Sequence, residues 1–232
     1  MKAGVITFPG SNCDDDCRFV LAKHGGFDVR TLWHKDAPDL SDFDLIALPG
    51  GFSYGDYLRC GAMASLSPIM DEVRKFADNG GHVLGICNGF QILCEAHLLP
   101  GALARNLGLR FLCQDVHCRV ENNESPWTSE LKRGEVIQLP IAHGDGRYVI
   151  DESEVATLER NGQVLLKYTA ADGKIDDANN PNGSVHQIAG VCNERRNVFG
   201  LMPHPERATD LRSRQGMKIW QSIVRTLREK KA

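Results

Sequence analysis

Residues 82–91, HVLGICNGFQ, carry the pattern that decides the fold. His82 to Ile86 is a short apolar run of the kind that forms a buried strand. Cys87 follows it directly in the pentapeptide G-x-C-x-G, and residues 89–96 then place apolar side chains at helical spacing. The segment is therefore predicted to turn sharply from a strand into a helix, with Cys87 at the turn.

The residues before this segment alternate strand and helix patterns. Further strands are predicted at Ala3–Phe8, Phe27–Trp33 and Leu45–Leu48. Helices are predicted after Ser11 or Asn12 as the capping residue, and at Pro68–Ala77. This alternation predicts an α/β fold with a mostly parallel sheet flanked by helices.

In such folds, ligands bind at the carboxyl ends of the strands. Three predicted strands end at Pro9-Gly10, at Pro49-Gly50-Gly51 and at Cys87. These three loops are expected to converge on one edge of the sheet.

The second half of the chain has fewer helix patterns. Strands are predicted at Arg110–Val120, Val136–Ile141, Val164–Tyr168 and Val198–Leu201, which adds an antiparallel region. The polar stretch 172–184 is predicted to be a surface loop, and about Arg214–Lys230 a closing amphipathic helix. With no linker or repeat in view, residues 1–232 are expected to form a single domain.

Composition narrows the class of protein. Of 232 residues, 42% are hydrophobic and 25% are charged, and the net charge is −3. These values are typical of a globular protein and predict neither nucleic-acid nor membrane binding. The N-terminus lacks the pattern of a signal peptide, so a cytoplasmic location is expected, and there the eight cysteines would be thiols.

Cys87 has the context of a catalytic nucleophile. G-x-C-x-G between a strand and a helix is the cysteine form of the nucleophile elbow. The helix N-terminus favours a thiolate, and the backbone N–H of Asn88 is expected to face a developing oxyanion. The alternative is a tight crossover in which Gly and Cys only relieve crowding.

A thiolate nucleophile needs a base, and His204 is the best candidate among eight histidines. It lies in Pro203-His204-Pro205-Glu206, directly after a predicted strand, and Glu206 can orient one ring nitrogen. Gly51 can offer a second oxyanion N–H. The alternative for His204 is a loop histidine beside a solvated carboxylate, and the alternative for Gly51 is a plain strand-ending turn.

The other cysteines raise the question of a metal site. Cys113, His117 and Cys118, or Cys13 and Cys17, could be metal ligands, but neither set forms a paired C-x-x-C arrangement. Cys113 and His117 have the same parity along a predicted strand, which favours a packed face. No metal ligands are therefore predicted.

The combination resembles class I glutamine amidotransferases, which implies a flavodoxin-like fold. The resemblance is closest to the family of glutaminase subunits of phosphoribosylformylglycinamidine synthase, of purine biosynthesis. The motifs that carry it span nearly the whole chain: PGSNCD (9–14), PGGFSYGDYLR (49–59), GICNGFQ (85–91), VENN (120–123), PIAHG (140–144) and GLMPHPER (200–207).

The resemblance implies a role for each matching residue. Cys87 would form a glutamyl thioester, with His204 as base and acid and Glu206 as its orienter. Gly51 and Asn88 would hold the oxyanion. The residues that would help to bind glutamine are Gln91, His143 and Gly144.

The same resemblance implies partners and cofactors. The ammonia would pass to a synthetase subunit, with a small accessory subunit in the same complex. ATP and Mg would bind that synthetase, and none is expected here, since the chain shows no G-x-x-x-x-G-K-[ST] loop. The partner role of residues 172–184 stays open.

Two other function classes remain. A cysteine hydrolase or protease-like enzyme of the same scaffold usually has a histidine just after its nucleophile, whereas residue 88 is Asn here. A non-catalytic protein with the fold would not need Cys87, His204 and Glu206 together. Release of glutamate from glutamine discriminates among the three.

Overall fold

The computed structural model describes residues 1–210 and 213–231. The predicted domain of 1–232 includes residues 211, 212 and 232, which lie outside the described part. The strands are β1 (Lys2–Thr7), β2 (Asp28–Trp33), β3 (Leu45–Leu48), β4 (His82–Ile86), β5 (Ala102–Ala104), β6 (Leu112–Val120), β7 (Val136–His143), β8 (Arg147–Val149), β9 (Val164–Thr169), β10 (Ile188–Cys192) and β11 (Val198–Leu201). The α-helices are α1 (Asp14–Lys23), α2 (Ala62–Ser65), α3 (Ile69–Asp78), α4 (Asn88–Glu95), α5 (Glu152–Arg160) and α6 (Met217–Glu229).

Nine strands form one mixed sheet in the order β2-β1-β3-β4-β11-β10-β9-β6-β7. The first five in this order pair in parallel, and every later pair is antiparallel. The sequence-based prediction of a mostly parallel sheet with an added antiparallel region is confirmed, and the antiparallel strands extend the same sheet.

The central strands are buried throughout, which explains their unbroken apolar sequences. No residue of β3, β4 or β11 is exposed, so both faces of the sheet are covered there. Helices α3 and α6 contribute apolar faces with Val73 and Ile223 at full burial. The order β1-β3-β4-β11 places the carboxyl ends of four adjacent strands side by side, and the loops after them build the candidate site.

Several elements were missed or misplaced by the sequence analysis. Helix α5, strand β10 and the small β5–β8 ladder were not predicted. The prediction that Ser11 or Asn12 caps α1 is wrong, because Cys13 holds that position without a side-chain cap. The final helix begins at Met217 rather than near Arg214.

The prediction of a packed face through Cys113 and His117 is also wrong. Cys113 is exposed and His117 is half-buried, whereas Val116, Cys118 and Val120 of the same strand are buried. The opposite parity therefore faces the core, because successive side chains of a strand alternate between the two faces of the sheet.

Candidate active site

Cys87 lies at the strand-to-helix turn between β4 and α4. Its backbone φ is +51°, a left-handed value that is rare for a residue with a side chain and typical of strained functional turns. Its N–H donates to Leu201 O at 2.8 Å, and its carbonyl accepts from Gln91 N at 3.1 Å. The turn is thus fixed by hydrogen bonds to the neighbouring strand and to the following helix.

The glycines that flank Cys87 are required by close packing. A Cβ at Gly85 would lie 2.5 Å from Leu93 Cδ1, and one at Gly89 would overlap the carbonyl oxygen of Leu48. Helix α4 therefore packs directly against β3 and β4, with its N-terminus at Cys87. A tight structural crossover and a nucleophile elbow would both require these glycines. Only the groups around the Cys87 thiol therefore distinguish the two interpretations.

His204 and Glu206 form a buried pair beside Cys87. His204 Nδ1 lies 2.6 Å from Glu206 Oε1, and the two residues are 2% and 3% exposed. Burial acts to lower the pKa of His204, but the charge of Glu206 and the contact with Cys87 outweigh it and raise this pKa well above its usual value. The raised pKa favours the imidazolium form of His204, which is the form that a thiolate–imidazolium pair requires.

Strand β11 places this pair. The strand ends at Leu201, which is paired with Ile86 of β4, the residue before Cys87. Three residues later, the His204 N–H donates to Pro140 O at 2.8 Å. Pro205 begins a short 3-10 turn that brings Glu206 back onto His204. The predicted association of Cys87, His204 and Glu206 is thereby seen in space, although His204 lies more than a hundred residues downstream.

The loop after β3 forms the opposite wall of the site. Gly51 has φ +150°, and a Cβ there would lie 2.7 Å from Gly10 O and Ser11 Cα. Gly51 and Ser11 form an isolated antiparallel bridge, and Phe52 N donates to Gly10 O at 2.8 Å. The loops after β1 and β3 are thus joined, as their positions at adjacent strand ends predict.

A chain of side-chain amides braces the same loops from behind. Ser53 N donates to Asn88 Oδ1 at 3.2 Å, Asn88 Nδ2 donates to Gln91 Oε1 at 2.8 Å, and Gln91 Nε2 donates to Asp145 O at 2.6 Å. Asn88 and Gln91 are buried. Both ends of the predicted substrate-binding Gln91 are thus engaged within the protein, where they tie α4 to the turn after β7.

His143 approaches the site from the end of β7. Burial and the nearby charge of His204 lower its pKa to about 4, so it is neutral near pH 7. Asn106 Nδ2 donates to His143 O and Arg110 O, which leaves Asn106 Oδ1 to accept from His143 Nδ1–H at 3.1 Å. His143 Nε2 is then a buried acceptor without a partner in the part of the chain that the structure describes, and the adjacent Gly144 is half-buried.

Sequence reasoning missed Cys13 in this site. Cys13 is 2% exposed, and its thiol lies beside His204, on which it also acts to raise the pKa. Within residues 1–210 and 213–231, it forms with His204 and Glu206 one set of potential metal ligands, and neither Cys17 nor the Cys113-His117-Cys118 set does so. Nothing in the local sequence indicates this, because the contact is between the loops that follow β1 and β11, which are far apart in the sequence.

Asn88→Ala should lower kcat/KM for glutamine about 10- to 100-fold while its backbone N–H stays in place. The change leaves Ser53 N–H and Gln91 Oε1 without partners, so the loop that carries Gly51 can shift against α4. Steady-state kinetics measures the effect.

The matched control is Asn197→Ala. Asn197 is also buried and donates to Ala77 O and Gly81 O at 2.8 and 2.7 Å, at the opposite end of the sheet. Both variants should lose about 1–3 kcal/mol of stability, but only Asn88→Ala should lose catalytic efficiency. Equal kinetics in the two variants would show that the Asn88 side chain is merely structural.

Several known proteins are similar in sequence to this chain. A family model described as the CobB/CobQ-like glutamine amidotransferase domain matches residues 1–228. The phosphoribosylformylglycinamidine synthase subunit PurQ of Koribacter versatilis is 53% identical over 226 residues, which cover 97% of each chain. The protein of the same name from Salinibacter ruber is 55% identical over 227 residues, covering 96% of this chain and 95% of that one.

A solved structure gives the same result for the fold. A chain of the structure of PurLQS from Thermotoga maritima superposes with a TM-score of 0.86 at 46% identity, covering 97% of this chain and 98% of that chain. Among the described residues, no helix is long and apolar enough to cross a membrane.

Proposed function

Because this chain belongs to the CobB/CobQ-like glutamine amidotransferase family, we propose that Cys87, His204 and Glu206 hydrolyse glutamine in it. The chain is the glutaminase subunit of a phosphoribosylformylglycinamidine synthase and supplies ammonia for purine biosynthesis. Identity above 50% to subunits of that name over nearly the full length supports this function. The single observation that carries the residue assignment is the buried His204–Glu206 pair beside a thiol on a strained turn.

The reaction begins with attack of the Cys87 thiolate on the carboxamide carbon of glutamine. The carbonyl oxygen becomes an oxyanion, which the backbone N–H groups of Gly51 and Asn88 stabilise. The His204 imidazolium gives its proton to the leaving nitrogen, and ammonia departs from a glutamyl thioester.

Hydrolysis of the thioester reverses these roles. Neutral His204 takes a proton from water, the hydroxide attacks the thioester carbon, and Cys87 leaves as the thiolate. Glu206 keeps Nδ1–H oriented and stabilises the imidazolium in both halves of the reaction. Glutamate is released, and the starting protonation state is restored.

Glutamine binds against the rim that includes His143, Gly144 and Gln91. Gln91 acts there through the position it imposes on Asp145 and Asn88, since its own amide is already bonded at both ends. His143, being neutral, offers an acceptor at Nε2 rather than a positive charge.

The ammonia is used by a synthetase partner. The name PurLQS of the similar solved structure supports a complex that holds a synthetase subunit and a small accessory subunit besides this chain. ATP and Mg belong to the synthetase, and this single-domain chain carries no cofactor. Its eight free cysteines suit a cytoplasmic location.

The test is glutamate release from glutamine by the isolated chain and by its complex with the synthetase subunit. The isolated chain should turn over slowly, because uncoupled hydrolysis wastes glutamine, and the complex should be faster by an order of magnitude or more. Fast turnover of the isolated chain would contradict the coupling, and no turnover in either state would contradict the glutaminase function itself.

A further inference from the structure

Backbone contacts hold the Cys13 thiol against His204, the catalytic base. Cys13 N donates to Gly50 O at 3.2 Å, and the thiol lies close to the His204 ring. A Cβ at Gly50 would lie 2.8 Å from His204 Cε1 and 3.0 Å from Cys13 Sγ. Only a glycine at position 50 therefore allows the imidazole and this second thiol to share one wall of the site.

Three donor atoms of different chemistry meet there. They are Cys13 Sγ, a ring nitrogen of His204 and a carboxylate oxygen of Glu206, and each lies within 4.8 Å of the other two. All three residues are buried. In addition, His204 Nε2 and Glu206 Oε2 are buried and have no hydrogen-bond partner among the described residues. Buried polar atoms without partners are uncommon and call for an explanation.

We propose that Cys13, His204 and Glu206 form a binding site for Zn²⁺, and that the bound ion switches the glutaminase off. Thiolate, imidazole and carboxylate are the three donor types that zinc prefers. Ligand atoms around a tetrahedral zinc ion lie about 3.5 Å apart. The three donor atoms lie at most 4.8 Å apart, so small side-chain movements would bring them around one ion. The Cys13 thiol and the His204 imidazolium each lose one proton to solvent as the Zn–S and Zn–N bonds form, and water completes the coordination.

The inhibitory part of this proposal rests on the proposed function of His204 and Glu206. A metal ion bound to both would occupy the base and its orienter at once, so His204 could neither stabilise the Cys87 thiolate nor give a proton to the leaving ammonia, while Cys87 itself would stay free of the metal. This distinguishes the site from the simpler possibility that zinc binds the nucleophile Cys87 together with His204.

The experiment measures binding of Zn²⁺ to the isolated chain by competition with a chromogenic chelator. Wild type, Cys13→Ala, Cys13→Ser and Cys87→Ala are compared, with the exposed Cys113→Ala as the matched control. Wild type should bind one equivalent, and both Cys13 variants should bind at least 30-fold more weakly. Cys87→Ala and Cys113→Ala should bind within threefold of wild type.

A second measurement avoids dependence on the Cys13 variants, in case they fail to fold. Co²⁺ added to Cys87→Ala should give a thiolate-to-cobalt charge-transfer band, since the ligand thiol is Cys13. Absence of the band, weak binding by Cys87→Ala with tight binding by the Cys13 variants, or no stoichiometric binding by wild type would each overturn the proposal.

Inhibition is then measured in the complex with the synthetase subunit. Zn²⁺ should suppress glutamine-dependent synthesis, a stronger chelator should restore it, and ammonia-dependent synthesis should continue. The binding data do not need an active glutaminase, so failure of the zinc site and failure of the proposed function give different results. Equal sensitivity of the two activities would overturn the inhibitory role.

Discussion

Cys87→Ala should abolish glutamine-dependent synthesis by the complex, with a loss of about 10⁵-fold or more, and leave ammonia-dependent synthesis within about twofold of wild type. The loss is large because removing the nucleophile removes the covalent route, and the remaining His204 and oxyanion donors have no thioester to act upon. Added ammonia bypasses this chain, so the synthetase keeps its own chemistry. Both activities are measured on the same preparation of complex.

Two observations keep this prediction specific to the thiol. Ala and Cys tolerate the left-handed backbone at position 87 about equally well, and the substitution removes only one buried sulfur atom. The melting temperature should therefore change by only a few degrees. Cys113→Ala, which removes an exposed thiol, should keep full glutamine-dependent activity. Loss of ammonia-dependent activity in Cys87→Ala would assign Cys87 a structural role in the complex.

The elbow around Cys87 could be predicted because its physics is local. An apolar run, two glycines and a helical pattern occupy consecutive residues, and each constrains the next. The ends of β1, β3 and β4 were equally predictable, since short apolar runs end there at Pro9-Gly10, Pro49-Gly50-Gly51 and Cys87. The parallel pairing of β11 with β4 was not predicted.

Elements of weak or short pattern escaped prediction. The sequence of helix α5 is mostly polar and lacks a wide apolar stripe, since the helix buries only Val155 and Leu158 and needs no other large apolar side chain. Strand β10 follows His186 and Gln187, two residues with left-handed backbone that no local sequence preference demands. The three-residue strands β5 and β8 are too short to show alternation.

The individual side-chain contacts between distant loops were not predictable, although the convergence of the loops was. The approach of Cys13 to His204 depends on the missing side chain of Gly50, and the link from Ser53 through Asn88 to Asp145 joins two loops through helix α4. Each glycine or amide reads as an ordinary turn or helix residue in the sequence. Their roles exist only once the sheet order sets β1, β3, β4 and β11 side by side.

His204→Asn should lower glutamine-dependent kcat by about 10³-fold or more while the protein stays folded. An Asn Nδ2 can take the place of His204 Nδ1 and keep the hydrogen bond to Glu206, so the carboxylate is not left buried without a partner. What is lost is Nε2, which carries the proton to the leaving ammonia and accepts one from water. Single-turnover kinetics with glutamine, and ammonia-dependent synthesis as the control, measure the loss.

The same pair allows a test of whether Glu206 acts only through His204. Glu206→Gln alone should slow glutamine hydrolysis about 10²- to 10⁴-fold, because the imidazolium loses its negative partner and its fixed orientation. In the double variant with His204→Asn, however, the rate should be no lower than in His204→Asn alone, because residues that act as one unit are not additive. Additive losses would mean that Glu206 reaches the reaction by a second route. Its Oε2, which has no hydrogen-bond partner in residues 1–210 and 213–231, would then be the atom to examine.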